Sequence, residues 1–130
     1  MSDLSSSTTI VVGASRGLGR GIAVAFADAG APVVAVARTG PALAELAGAS
    51  PNITTEVADA ADPASAWSLL DHYQPQVLIL VAGANPVVRP LQHQTWETFS
   101  INWHTDVKIA FNWLRDALLK PLSPGGRSWW

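Results

Sequence analysis

Three glycines near the start of the chain are spaced as a phosphate-binding turn requires. Gly13, Gly17 and Gly19 follow the β-branched run of residues 8–12, and apolar residues at helical spacing come after them. The first glycine allows a sharp turn after a strand, and the other two let the backbone approach a ligand and pack closely. The N–H groups of the first helical turn then face the anion. The spacing therefore predicts a strand, an anion-binding turn and a helix.

Two arginines stand where a nucleotide could meet them. Arg16 lies within the glycine turn, and Arg38 directly follows the apolar run of residues 31–37. At the end of a second strand, a carboxylate is typical of binding to free ribose hydroxyls, whereas arginine suits a 2′-phosphate. Because Ala37 is not acidic, we expect NADP as the cofactor, with NAD as the alternative. A solvated charge at a strand end is the other interpretation of Arg38.

The rest of the chain alternates between strand and helix patterns. Strands are predicted at residues 8–12, 31–37, 52–57 and 77–82, and helices at residues 18–30, 41–47, 63–74 and 95–120. Asp62 and Thr95 suit the N-cap position, and Pro63 suits the first helical position. The alternation predicts an α/β fold with right-handed βαβ units: a Rossmann-type, doubly wound parallel sheet of about four strands in the order 3-2-1-4. The ligand crevice then lies at the carboxyl ends of strands 1 and 4.

Composition and charge exclude several classes of function. A chain of 130 residues, 48% of them hydrophobic, suits one domain, and we assign residues 1–7 to a disordered lead and residues 8–130 to an incomplete NAD(P)-binding domain. The net charge of −2 argues against nucleic-acid binding, and no apolar stretch approaches the roughly 20 residues of a membrane span. Without cysteine there are no thiolate metal sites, and the three histidines lack metal-ligand spacing. The polar N-terminus lacks the pattern of a signal peptide, so we expect a cytoplasmic location.

The Gly-Ala-Ser-Arg-Gly-Leu-Gly segment of residues 13–19 resembles the cofactor-binding turn of the short-chain dehydrogenase/reductase family, and the resemblance extends over residues 9–126. It implies that Asp59 and Ala60 contribute to the adenine site, with a turn or capping aspartate as the alternative for Asp59. It also implies that Asn102 supports a proton-relay water. The cofactor-binding residues that the resemblance implies are Gly13, Ser15, Arg16, Gly17, Leu18, Gly19, Arg38, Asp59, Ala60, Ala82 and Gly83.

The chain departs from the family pattern in the two turns at the crevice. In the family, the residues that match Ala82 and Gly83 end an Asn-Asn-Ala-Gly motif, but Leu80 and Val81 stand in place of the two asparagines. Val12 likewise replaces a threonine. Hydrogen bonds that stiffen these turns are therefore missing or made by other groups.

The residues that catalyse hydride transfer in this family have no match in the chain. The family uses a tyrosine, a lysine four residues later and a serine, but Tyr73 is the single tyrosine and is followed four residues later by Val77. The resemblance therefore implies an NADP-dependent oxidoreductase acting on alcohols or carbonyls, of which this chain is the first, cofactor-binding half. We expect it to be truncated before the catalytic tyrosine and lysine, through a natural truncation, a frameshift or fragmentation, and inactive alone. The alternatives are a nucleotide-binding or interaction module, or a non-functional product.

The helix predicted over residues 95–120 is apolar around much of its circumference. One stripe consists of Phe99, Trp103, Val107, Phe111, Leu114 and Leu118. Trp96, Ile109 and Trp113 lie off this stripe, so the helix must be covered on two sides. The sheet is one cover, and a partner subunit in a homo-oligomer is a candidate for the other. Since the chain ends where a fifth strand should begin, we also expect strand 4 to be left as an exposed edge.

Overall fold

The computed structural model describes residues 5–83, 87–119 and 127–129, the last three as backbone. In chain order the elements are β1 (Thr9–Val12), α1 (Gly17–Asp28), β2 (Val33–Ala37), α2 (Gly40–Ala47), β3 (Ile53–Val57), α3 (Pro63–Tyr73), β4 (Val77–Leu80), a short 3-10 helix (Leu91–His93), α4 (Trp96–Asn102), a π-helical segment (Trp103–Val107), α5 (Lys108–Leu119) and β5 (Arg127–Trp129). The described bounds lie within two residues of the predicted ones, and the π-helical segment divides the long predicted helix. Residues 1–4 of the predicted lead and Lys120, the last residue of the long predicted helix, lie outside the described residues.

The strands form one parallel sheet in the order β3-β2-β1-β4-β5. Thr9 of β1 is in register with Val33 of β2 on one side and with Val77 of β4 on the other. Every residue of β1 and β2 is buried, because helices cover both faces and the strands need no alternation of polar and apolar residues. The predicted order of the first four strands is confirmed.

The expectation that β4 is left as the edge of the sheet is wrong. The backbone of Arg127–Trp129 pairs in parallel with β4, with Val77 opposite Arg127 and Ile79 opposite Trp129. An edge strand presents a row of N–H and C=O groups to any extended segment, so three residues suffice to add a strand. The prediction failed because it allowed no strand in the last residues of the chain, whereas the backbone of three residues is enough to pair with β4.

Both predicted side-chain caps are present. Asp62 accepts a hydrogen bond from the N–H of Ala64 at 3.0 Å, directly before Pro63 at the start of α3. Thr95 accepts one from the N–H of Thr98 at 3.2 Å, and the side chain of Thr98 accepts one from the N–H of Thr95 at 3.0 Å. These reciprocal bonds satisfy N–H groups that the first turn of α4 leaves unpaired.

The core consists of two clusters, one on each face of the sheet. Ile10 and Val12 belong to the cluster under α3 and α5, whereas Val11 between them belongs to the cluster under α1 and α2, as the alternation of a strand requires. Trp113 of α5 is fully buried, and its indole N–H donates to the carbonyl of Ala60 at 3.1 Å. This bond anchors α5 to the loop that leads into α3.

The two apolar sides of the long helical region have different surroundings. Ile109 and Trp113, which lie off the predicted stripe, face the core. The stripe itself is largely on the surface: Phe99 and Phe111 are each 59% exposed, and Trp103 is 66% exposed. The sheet therefore covers one side of the long helical region, as expected. The stripe on the other side remains exposed to solvent.

Tyr73 ends α3 and donates a hydrogen bond from its hydroxyl to the carboxylate of Glu56 on β3. Burial of the ring, the hydrogen bond to Glu56 and the negative charge of Glu56 together raise the pKa of Tyr73 from 10.0 to about 12. The protonated phenol is therefore favoured in the folded chain. Its contribution to stability is fully present below pH 10 and is lost as the pH rises towards 12.

We expect replacement of Glu56 by glutamine to lower the pKa of Tyr73, because the charge is removed, but to leave it above 10.0, because burial remains. Tyr73 is the single tyrosine, so the ultraviolet absorbance of tyrosinate measures its titration directly. Replacement of Glu45 by glutamine is the control, since this exposed carboxylate pairs with Arg20 at 3.6 Å instead. A midpoint that is the same in all three proteins would contradict the role of Glu56.

Candidate active site

The turn between β1 and α1 is closed by backbone contacts that leave no room for side chains. A Cβ on Gly13 would lie 2.6 Å from the nitrogen of Ala82, and a Cβ on Gly19 would lie 2.0 Å from the carbonyl oxygen of Gly13. Gly13 also has a φ of +96°, which favours glycine, and its N–H donates to the carbonyl of Val36 at 2.9 Å. The ends of β1 and β4 therefore meet at one crevice, as the sequence predicts.

The first turn of α1 faces this crevice without a side-chain cap. Arg16 occupies the N-cap position in an extended conformation, its side chain makes no capping hydrogen bond, and the first turn holds no acidic residue. Gly17 begins the helix with a φ of +58°, and Leu18 is 72% exposed. Ser15, before the cap, is half-buried. An uncapped helix N-terminus presents N–H groups and a positive dipole end to an anion.

The neighbouring strand ends carry the other residues predicted for the nucleotide. Arg38 follows β2 and is exposed. Asp59 is exposed as well and accepts a hydrogen bond from the N–H of Ala61 at 3.0 Å, which is the bond that the turn alternative predicts. Ala60 is buried and its carbonyl accepts the indole N–H of Trp113. Binding of adenine at this loop stays a prediction.

The structure brings a carboxylate to the end of β4 that sequence reasoning did not identify. Asp106 lies in the π-helical segment, and a Cβ on Gly83 would lie 2.9 Å from its Oδ1. Asn102, at the end of α4, donates from Nδ2 to Oδ2 of Asp106 at 3.2 Å. Both side chains are half-buried. The spacing of four residues between Asn102 and Asp106 is the one signal in the sequence that could have paired them.

The part of the chain that the structure describes contains neither a cluster of metal-ligating side chains nor a membrane-spanning helix. No group of three or more His, Asp or Glu side chains there could hold a metal ion. Among the helices formed by these residues, none combines the length and apolarity needed to cross a membrane.

The family model for short chain dehydrogenase matches residues 7–121. The chain belongs to the short-chain dehydrogenase family. The chain is 31% identical over 101 residues to an L-xylulose reductase of Mesocricetus auratus, an alignment that covers 78% of the chain and 41% of the relative. It is also 31% identical to an NADPH-dependent aldehyde reductase 2, chloroplastic, of Arabidopsis thaliana, with 95% of the chain and 53% of that relative covered.

A solved structure of similar fold is the 3-oxoacyl (acyl-carrier-protein) reductase of Agrobacterium tumefaciens with NADP bound. Its TM-score is 0.79 at 22% identity, covering 96% of the chain and 52% of that protein. This likeness shows the Rossmann-type fold. The chain spans about half the length of the curated relatives that it matches.

We expect replacement of Gly19 by alanine to destabilise the chain by about 2–4 kcal/mol, because the new Cβ must displace the backbone at Gly13. Gly21 is the matched control: it lies in the same helix, and a Cβ there meets nothing within 4 Å. Alanine at Gly21 should instead stabilise the helix by about 0.5–1 kcal/mol. Urea unfolding measures both changes. Equal effects at the two glycines would refute the close approach of α1 to β1.

Proposed function

We propose that the chain is the NADP-binding part of an oxidoreductase that transfers hydride between NADP and a small alcohol or carbonyl compound. The close approach of Gly13, Gly19 and Ala82 supports it most directly: a Cβ on either glycine would clash with neighbouring backbone, and this close packing is what a dinucleotide-binding turn requires. The names of the relatives agree, since one is an NADPH-dependent aldehyde reductase and one similar structure holds NADP. When bound, NADPH supplies a hydride to a carbonyl carbon, and the carbonyl oxygen takes up a proton.

Under this proposal, residues 8–130 act as one nucleotide-binding domain and the glycine turn holds the pyrophosphate at the start of α1. The residues of the turn that we assign to this role are Gly13, Ser15, Arg16, Gly17, Leu18 and Gly19. Arg16 and Arg38 neutralise the 2′-phosphate, and Asp59 and Ala60 border the adenine. Ala82 and Gly83 form the opposite wall of the crevice, and Asn102 supports the proton relay. We place this chemistry in the cytoplasm, with which the absence of cysteine agrees.

A second function is nucleotide binding without hydride transfer by these 130 residues. The sequence favours it because no tyrosine is followed by a lysine four residues later. Tyr73 cannot serve in that role, since its hydroxyl is engaged with Glu56. The two functions differ in one measurement, the oxidation of NADPH in the presence of a panel of small carbonyl compounds. Saturable binding without turnover would support the second.

We expect NADP to bind more tightly than NAD, and replacement of Arg38 by alanine to weaken NADP binding about tenfold to a hundredfold with little effect on NAD. Titration calorimetry measures the four affinities. Replacement of Arg20 by alanine is the control, because it removes the same guanidinium group from a residue that pairs with Glu45 at 3.6 Å and to which the proposal assigns no contact with the nucleotide. Loss of selectivity in both variants, or no binding of either nucleotide to the unaltered chain, would overturn the proposal.

We further propose that a second copy of the chain covers the exposed stripe of the long helical region. A groove of about 280 Å³ runs along this side and is lined by Trp103, His104, Val107, Lys108 and Phe111. Exposed apolar residues continue it at both ends, with Trp96 69% and Leu118 71% exposed. Monomeric proteins rarely leave so much contiguous apolar surface in water, and pairing two such stripes is the isologous solution.

We expect the chain to sediment as a dimer or larger oligomer, and replacement of Phe111 by aspartate to shift it towards monomer, because a charge would be buried in the interface. Val88 offers a matched control, since it is 90% exposed but lies in the loop before the 3-10 helix. Its replacement by aspartate should leave the oligomeric state unchanged. An unaltered chain that sediments as a monomer at all concentrations tested would contradict the proposal.

A further inference from the structure

The segment after β4 lies between two parts of the chain that hold it from opposite sides. The N–H of Val81 donates to the carbonyl of Val12 at 2.9 Å, so β4 is held to β1 up to this residue. Ala82 then lies against Gly13, and Gly83 lies against Asp106. Val81 and Ala82 have apolar side chains, so the polar side chain brought to this turn comes from the π-helical segment.

The carboxylate of Asp106 occupies the space that a side chain on Gly83 would fill. A Cβ built on Gly83 would lie 2.9 Å from Oδ1, 3.1 Å from Cγ and 3.2 Å from Oδ2 of Asp106. Gly83 is not among the glycines in the left-handed region, so a side chain there would be opposed by the Asp106 carboxylate, which would have to shift, and not by the backbone conformation. Gly83 and Asp106 are therefore complementary in shape.

The orientation of Asp106 is determined from its other side. Asn102 donates to Oδ2 at 3.2 Å, which leaves Oδ1 as the carboxylate oxygen nearest to the Cβ position of Gly83. Along the same helical side, Ile109 and Trp113 are buried in the core. The helix that carries Asp106 is thus fixed to the body of the domain, and a π-helical turn at this point is a local departure of the kind that proteins often place at functional sites.

We propose that Asp106, oriented by Asn102, is a positioning residue of the nucleotide crevice: its carboxylate packs into the space beside Gly83 and fixes the turn that forms the β4 wall. This inference rests on the proposed nucleotide binding, but it concerns a residue to which that proposal assigns no role. In chemical terms, Asp106 and Asn102 bring a pair of polar side chains to a turn at which Leu80 and Val81 are apolar.

The test is a double-mutant cycle with replacements of Gly83 and of Asp106 by alanine, read by urea unfolding and by NADP affinity. Alanine at Gly83 should cost little stability, because only the end of the Asp106 side chain must move. It should weaken NADP binding about tenfold, because its Cβ displaces the carboxylate from the position set by Asn102. In the double variant the NADP affinity should be no weaker than in the Asp106→Ala variant, since alanine at position 106 vacates that space and the two losses are then not additive. Additive losses would overturn the inference.

Two further variants separate positioning from a general loss of stability. Replacement of Asp106 by alanine alone should weaken NADP binding several-fold, and replacement by asparagine, which keeps the shape and an acceptor for Asn102, should restore it. Alanine at Gly13 is the matched control for the cycle, because its contact is with the backbone of Ala82 and should not be relieved by changing Asp106. Unaltered NADP affinity in the Asp106→Ala variant would refute the positioning role.

The outcomes also distinguish this inference from the proposed function. If the unaltered chain binds NADP and the cycle is additive, the function stands and the role of Asp106 falls. If the unaltered chain binds neither NADP nor NAD, both fall, and the unfolding measurements then report whether Gly83 and Asp106 are in contact at all.

Discussion

The structure depends on the close approach of three backbone segments where β1, β4 and α1 meet. Gly19 packs against the carbonyl of Gly13, and Gly13 packs against the backbone of Ala82. A Cβ on either glycine would clash with the backbone that it faces. Main-chain groups at such a crossing must still be paired, and the carbonyl of Val36 accepts the N–H of Gly13. Since these contacts involve backbone atoms, the shape of the crevice is set by glycine positions and by strand register rather than by rotamers.

Much of this fold could be predicted because the signals that specify it are local. Uninterrupted apolar runs are typical of strands buried on both faces, and Asp62 and Thr95 mark helix starts by a hydrogen bond to a residue two or three positions away. The pairing of β5 is different in kind. Residues 127–129 join the sheet through backbone groups along β4. The periodicity of side chains does not predict a pairing of this kind.

The candidate site was predictable where it consists of glycine spacing and not where it depends on a tertiary contact. The more hydrophobic stripe of the long helical region faces outwards, and the inner side runs from Asn102 and Asp106 to Ile109 and Trp113, polar at one end and apolar at the other. In the sequence, Asp106 is indistinguishable from a solvated carboxylate. Its place beside Gly83 follows only once the π-helical segment and the burial of Trp113 set the rotation of the helix.

The charges at the strand ends are unevenly distributed about β1, and this has a consequence for any bound anion. In the order β3-β2-β1-β4, Arg38 follows β2 on one side of β1, whereas Asp106 lies beside the end of β4 on the other. Arg16 and the uncapped start of α1 add positive potential at the glycine turn. A ligand with phosphate at one end is attracted towards the β1 and β2 ends and repelled by the carboxylate near β4. The same groups that form the crevice therefore also favour one direction for a ligand lying across it.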